Sequence, residues 1–339
     1  SIAEDKDEYV VCFNLADGAF VWKAKIGPAW KSGQPDWQSS RSTPTVDGEL
    51  LYTLSPHGDL VCLESATGKE VWRKHMEKDL GGKKGDSWGY SESVLIDGDK
   101  LVCTPGGESA TMVALNKKTG EEIWKATSPG DRGAGHASVV ISEVGGTRVY
   151  VNTTAGGALG VRAEDGQLLW TYPIDRTTAV IPTPIVRGDL VFFTAGYNRG
   201  GALLRQVPGG NGEVKAEEIY PLNTDLNNKH GGVILVGDHL YGDSNDQGTP
   251  FCAELMTGKV IWKERGPGKK SASVTAADGH LIIRWADGTV ALAKASPDGF
   301  TITGSFKIPG SGDRPSWSHP VVVGGRLYLR EGDTILCYN

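Results

Sequence analysis

The chain has 339 residues, a net charge of −6 and 22% charged residues. With no basic runs, that balance argues against a nucleic-acid binder or a protein drawn to anionic membranes. No apolar stretch reaches the ~18 residues of a membrane-spanning helix, and the chain begins abruptly, as a mature or trimmed form would.

In chain order, one phrase recurs: a glycine turn, then an apolar residue and an aromatic. It reads "ADGAFVW" to Trp22, "TGKEVW" to Trp72, "TGEEIW" to Trp124, "DGQLLW" to Trp170 and "TGKVIW" to Trp262. Degenerate copies, "EEIY" to Tyr220 and "ITGSF" to Phe306, fill the gaps, giving steps of 50, 52, 46, 50, 42 and 44 residues. Four-stranded propeller blades have this period. Within 42–74, "STPTV" reads as strand A, Asp47-Gly48 as a hairpin turn, and "ELLYTLS" as strand B. The loop "PHGD" follows, then "LVCLES" as strand C, "ATGK" as a turn and "EVWRK" as strand D. The tryptophans read as inter-blade packing residues, each large enough to bury ~150–250 Å².

The opening "SIAEDKDEYVVCFNL" reads as the end of a strand B plus a strand C. The closing "SHPVVVGGRLYLREGDTILCYN" reads as strands A, B and C. The expectation is therefore an all-β, eight-bladed β-propeller of four-stranded antiparallel blades. Residues 1–339 form one domain, the first blade lacking strand A and the last lacking strand D. A preceding segment of about two strands would complete the ring.

Five cysteines make an odd count. Cys12, Cys62, Cys252 and Cys337 take the same strand-C slot in different blades, too far apart for the ~7 Å Cα limit of a disulfide. Free thiols are expected, and no CxxC pair is present for zinc.

Once this repeat is in hand, the stretches "RSTPTVDG", "SWGYSES", "IPTPIVRGDLVF" and "HGGVILVGDHLYG" carry a resemblance. Over essentially the whole chain it resembles the quinoprotein-like (PQQ-repeat) β-propellers, and within them the BamB-like propellers of planctomycete type. That resemblance implies a periplasmic or otherwise exported protein that binds a protein partner. The wider family also implies pyrroloquinoline quinone and Ca²⁺. Quinoprotein dehydrogenases hold the quinone between a tryptophan and a disulfide of adjacent cysteines; this chain has no such cysteine pair and no matching carboxylate–amide set, so neither PQQ nor Ca²⁺ is expected.

Strand A lines the channel of a propeller. Aligned on Pro44, the preceding position holds Thr43, Ser93, Ser138, Thr183, Gly232, Ser273 and His319, the Ser273 blade in uncertain register. Two residues earlier, on the same face, stand Arg41, Ser91, His136, Ile181, His230, Ser271 and Trp317. The first two D–A loops are long and bring Trp30, Trp37, Trp88 and Tyr90; the B–C loop "AGYNRGGA" brings Tyr197. Together with Glu92, these describe a polar, aromatic-rimmed mouth on the top face, suited to a carbohydrate or other polyhydroxylated ligand. The expected ligand-binding set is Arg41, Trp88, Tyr90, Glu92, His136, Tyr197, His230, Trp317 and His319, with no metal. A plain wet channel would also be lined with polar groups.

"DSNDQGTPFCAE" (243–254) nearly matches an EF-hand loop but joins two strands. "GDRGAGH" (130–136) and "PGKKS" (267–271) look like phosphate loops without the strand–loop–helix setting. No G-x-S-x-G elbow is present, and sequence alone assembles no Ser-His-Asp set. The leading reading is a non-catalytic binding or scaffold propeller whose partner is a protein or a glycan. The alternative is an enzyme acting on a carbohydrate or other polyhydroxylated substrate at that mouth, using His136 or His230 as base, with Arg41 and Glu92 as further candidates. A quinoprotein dehydrogenase ranks third.

Overall fold

The computed structural model describes residues 1–31, 41–312, 315 and 317–339; Trp37 lies outside these. Among the described residues, eight antiparallel sheets follow one another along the chain, six of four strands and two of three, each an up-and-down meander. The fold class is the eight-bladed β-propeller, and the two three-stranded sheets are the first and the last, as the repeat predicts. Among the described residues no helix is long and apolar enough to cross a membrane.

The second sheet shows how sequence becomes blade. Its strands are Thr45–Asp47, Leu50–Leu54, Asp59–Glu64 and Glu70–His75. Gly48 takes a positive φ of 57° in the first hairpin, where only glycine turns without strain. Strand A is shorter than the sequence predicts. The residues before it leave the ladder to bond elsewhere: the Ser42 hydroxyl donates to Leu54 O at 2.6 Å, and the Thr43 N–H donates to Ser93 Oγ at 3.0 Å in the next sheet.

The core lies between consecutive sheets. One cluster joins Tyr52, Cys62 and Trp72 of the second sheet to Leu101, Cys103 and Val113 of the third. Another joins Tyr241, Cys252 and Trp262 of the sixth to Val274, Ile283 and Trp285 of the seventh. The repeated phrase explains itself here. The Trp22 indole N–H donates to Ser65 O at 3.2 Å, that of Trp72 to Lys117 O at 3.0 Å and that of Trp262 to Ser296 O at 2.9 Å, each in the next blade's C–D connection. Tyr220, the degenerate copy, makes the same bond through its hydroxyl to Leu255 O at 3.0 Å. All five cysteines are free thiols on separate sheets.

The chain divides into two compact units. The first holds residues 1–179 and the hairpin tip 207–215; the second holds 180–206 and 216–339.

Candidate functional site

In the first unit the starts of strands A come together through their hydroxyls. The Ser93 N–H donates to Ser138 Oγ at 3.1 Å, continuing the Thr43–Ser93 contact. In the second unit, the Thr275 hydroxyl donates to Pro320 O just as the Thr45 hydroxyl donates to Val94 O. This fixes the Ser273 blade in the common register. Neighbouring positions of one layer therefore touch, and the polar layer serves as a set of staples between blades.

The first unit's charged cluster lies in the second layer. Ser91 Oγ is 2.5 Å from His136 Nδ1, and His136 Nε2 is 2.8 Å from Asp86 Oδ2. A carboxylate only accepts, so Nε2 carries the proton and Nδ1 accepts from the serine. The Lys84 ammonium donates to Ala134 O and Gly135 O at 2.9 and 2.7 Å and stands 3.6 Å from Asp86 Oδ1. Asp86 also accepts the Trp88 N–H, and the Arg41 guanidinium donates to Trp88 O. The side chains of Lys84, Asp86 and His136 are only 9, 11 and 6% exposed. Burial lowers the Lys84 ammonium to about 8, with Asp86 opposing. Burial also lowers His136, against the pull of its bond to Asp86. For Asp86 burial favours the neutral form, but His136 and Lys84 overcome it and hold the carboxylate below its ordinary range. Asp86 and Lys84 were missed in the sequence; the one signal was "KKGD" within a long D–A loop.

That loop is placed by glycines. Lys84 forms a parallel bridge with Ala134. A Cβ on Gly106 would stand 1.9 Å from Ala134 N, and one on Gly133 2.5 Å from Gly85 N. The "GDRGAGH" stretch thus interlocks backbones instead of cradling a phosphate, and Asp131 within it accepts from Gly107, Gly133 and Thr154.

Two members of the expected set sit inside packing. Tyr90 is 2% exposed within the hydrophobic cluster between the second and third sheets, its hydroxyl donating to Pro105 O at 3.1 Å. Glu92 is 3% exposed and accepts from the Thr104 N–H and hydroxyl at 2.7 and 2.9 Å. Burial pushes its carboxyl up to about 8. Both side chains are turned into packing by these contacts.

The second unit carries a related cluster. His230 Nδ1 is 3.1 Å from Ser271 Oγ, and the imidazole stacks on Trp317 with centroids 4.5 Å apart and planes 14° apart. Lys229 Nζ lies 2.9 Å from Asp246 Oδ2 and 5.0 Å from the Tyr197 ring centroid. Asp246 Oδ1 is 3.8 Å from His230 Nδ1. For Asp246 burial favours the neutral form, but Lys229, Ser271 and His230 hold the carboxylate below its usual value. Tyr197 and Asn198 both take positive φ, and the Tyr197 N–H donates to Asn245 Oδ1 at 3.2 Å. His319 stands beside Gly232, its Cε1 3.6 Å from where a Cβ would be. The EF-hand-like stretch is the B–C loop here. Pro250–Glu254 is strand, and Asp243 is spent on the Ala272 N–H at 3.0 Å.

Layered hydroxyls, stacked aromatics and outer tryptophans on a fixed blade period define a PQQ-repeat-type β-propeller. Residues 6–264 match the family described as outer membrane protein assembly factor BamB, and the chain belongs to that family. It is 26% identical to the outer membrane protein assembly factor BamB of Shewanella oneidensis over 262 residues, 72% of this chain and 60% of that one. The chain thus spans less than two thirds of that relative's length. Among solved structures, BamB from Moraxella catarrhalis superposes with a TM-score of 0.66 at 16% identity, covering 97% of this chain and 88% of that one. A europium-containing methanol dehydrogenase superposes at 0.63 with 14% identity, covering 94% and 79%.

The wider fold family includes quinoproteins, but the residues present do not fit a quinone. The thiols stand on separate sheets, so no vicinal disulfide forms one wall of a slot. One face of Trp317, the strand-A tryptophan, is covered by His230.

Proposed function

We propose that this chain is a binding and scaffold propeller, exported to the periplasm, which engages a protein partner at the strand-A starts and B–C loops. The observation that carries this reading is the match to the BamB family over residues 6–264. The Trp317 ring against His230 and the Tyr197 ring beside Lys229 support the location, since protein-binding surfaces are enriched in aromatic rings. Arg41, Trp88 and His136 would form the corresponding surface of the first unit. We read residues 1–339 as one functional domain.

A glycan is the second reading, favoured by the same aromatic rings with adjacent hydrogen-bonding groups. A thermal-shift panel of neutral and acidic oligosaccharides separates the two. A ligand of the native state raises the midpoint by mass action. A rise with one sugar class that is lost in His230→Ala would replace the protein-partner reading; unchanged midpoints across the panel are the expected result.

A further inference from the structure

Most staples of the strand-A layer are simple. A hydroxyl bonds a backbone group of the next blade, as in Thr45 to Val94 O and Thr275 to Pro320 O. Neither needs an imidazole or a carboxylate. At Ser91 the staple is different. The serine bonds His136, His136 bonds Asp86, and Asp86 stands beside Lys84, all in largely buried positions. Burying such charges costs several kcal/mol per ion before pairing, a cost that a staple alone does not require.

We propose that Ser91, His136 and Asp86 form a serine-centred acyl-transfer site acting on carboxylic esters. The arrangement meets the geometric test for an activated nucleophile: nucleophile to base, and base to orienting carboxylate, each within hydrogen-bond reach. Here Nδ1 faces the serine and Nε2 the carboxylate, the reverse of the common arrangement, but the roles are set by geometry and not by atom name. Burial keeps the imidazole neutral and able to accept a proton. Ser91 itself is half-buried, not sealed.

In the step, Ser91 Oγ attacks the ester carbonyl carbon while its proton passes to His136 Nδ1. The imidazolium is stabilised by Asp86 at Nε2. The bond to the alcohol breaks, the alcohol leaves with the proton from His136, and Ser91 holds the acyl group. Water, deprotonated by His136, then releases the carboxylic acid and restores the serine. The charges of Lys84 and Arg41 also lower His136, and Asp86 opposes them. The second unit holds a looser counterpart: Ser271 bonds His230, but Asp246 stands 3.8 Å from the ring and pairs with Lys229. The activity is assigned to the first unit only, and its failure would leave the scaffold reading untouched.

The test is covalent labelling. A fluorophosphonate probe forms a bond from phosphorus to Ser91 Oγ, loses fluoride and passes the serine proton to His136. The folded chain is treated with the probe and digested, and the adduct is located by mass spectrometry. The expected result is an adduct at Ser91 that is absent from heat-unfolded protein and forms about 100-fold more slowly in His136→Gln. No adduct at Ser91, an adduct only on other serines, or equal labelling of the unfolded chain would overturn the proposal. The unfolded control decides the matter even if His136→Gln does not fold.

Discussion

Trp72 of the second blade lies against Gly120 of the third: a Cβ on that glycine would stand 2.9 Å from the indole Cδ2. The same pairing joins Trp22 to Gly68, Trp124 to Gly166 and Tyr220 to Gly258. The glycine of each "TG" turn therefore serves twice. It supplies a positive φ, 73° at Gly120, and it leaves room for the preceding blade's aromatic ring.

This relationship predicts two unequal glycine effects. Gly48 also has positive φ, but a Cβ there meets nothing within 4 Å. Gly48→Ala should cost about 1 kcal/mol, the backbone penalty alone, whereas Gly120→Ala should cost roughly 1–3 kcal/mol more through overpacking. Trp72→Ala, which empties the same site, should cost about 3–5 kcal/mol. Urea unfolding of the three variants checks the order.

Glu92 predicts a pH slope. Its carboxyl is raised to about 8 in the folded chain, against an ordinary value near ~4.3 when unfolded. Between these values the unfolded chain binds fewer protons, so stability falls as pH rises, by at most about 1.4 kcal/mol per pH unit from this group. Asp243, raised by burial to about 7, acts in the same direction. Glu92→Gln should flatten the fall in midpoint between pH 5 and 8 without abolishing it. An unchanged slope would remove Glu92 as its source.

Asp86 predicts the cost of a broken buried cluster. Asp86→Ala leaves the Lys84 ammonium without its carboxylate in a site 9% exposed, and should destabilise by about 3–5 kcal/mol. The pair Arg284–Glu331, joining the last two blades at 2.6 Å with Arg284 fully buried, should behave alike in Glu331→Ala. Guanidinium unfolding at pH 7 measures both. Losses below about 1 kcal/mol, the level of an exposed pair, would contradict the account.

The blade period was legible because four turns of the repeat share one constraint: an aromatic, then a glycine about one blade later to receive it. Strand order and the short terminal sheets followed from that phrase. The polar layer was legible in register but not in partners. Ser91 and His136 could be placed on one face; that they touch depends on the distance between neighbouring strands A. Asp86 and Lys84 were invisible because they sit in a loop, whose path is set by glycine contacts at Gly85, Gly106 and Gly133 and not by side-chain alternation. Tyr90 and Glu92 were assigned to the rim by their neighbourhood in sequence, whereas the bonds to Pro105 O and Thr104 hold both in the interior.

The most direct test of the scaffold reading is site-specific crosslinking in cells of the native host. A photoreactive phenylalanine is placed at Tyr197, beside Lys229, and, as control, at the exposed outer-strand residue Ile123. The account predicts a protein adduct from position 197, identifiable by mass spectrometry as a component of outer-membrane protein assembly, and none from position 123. Adducts from position 123 alone, or no protein adduct from position 197, would contradict it.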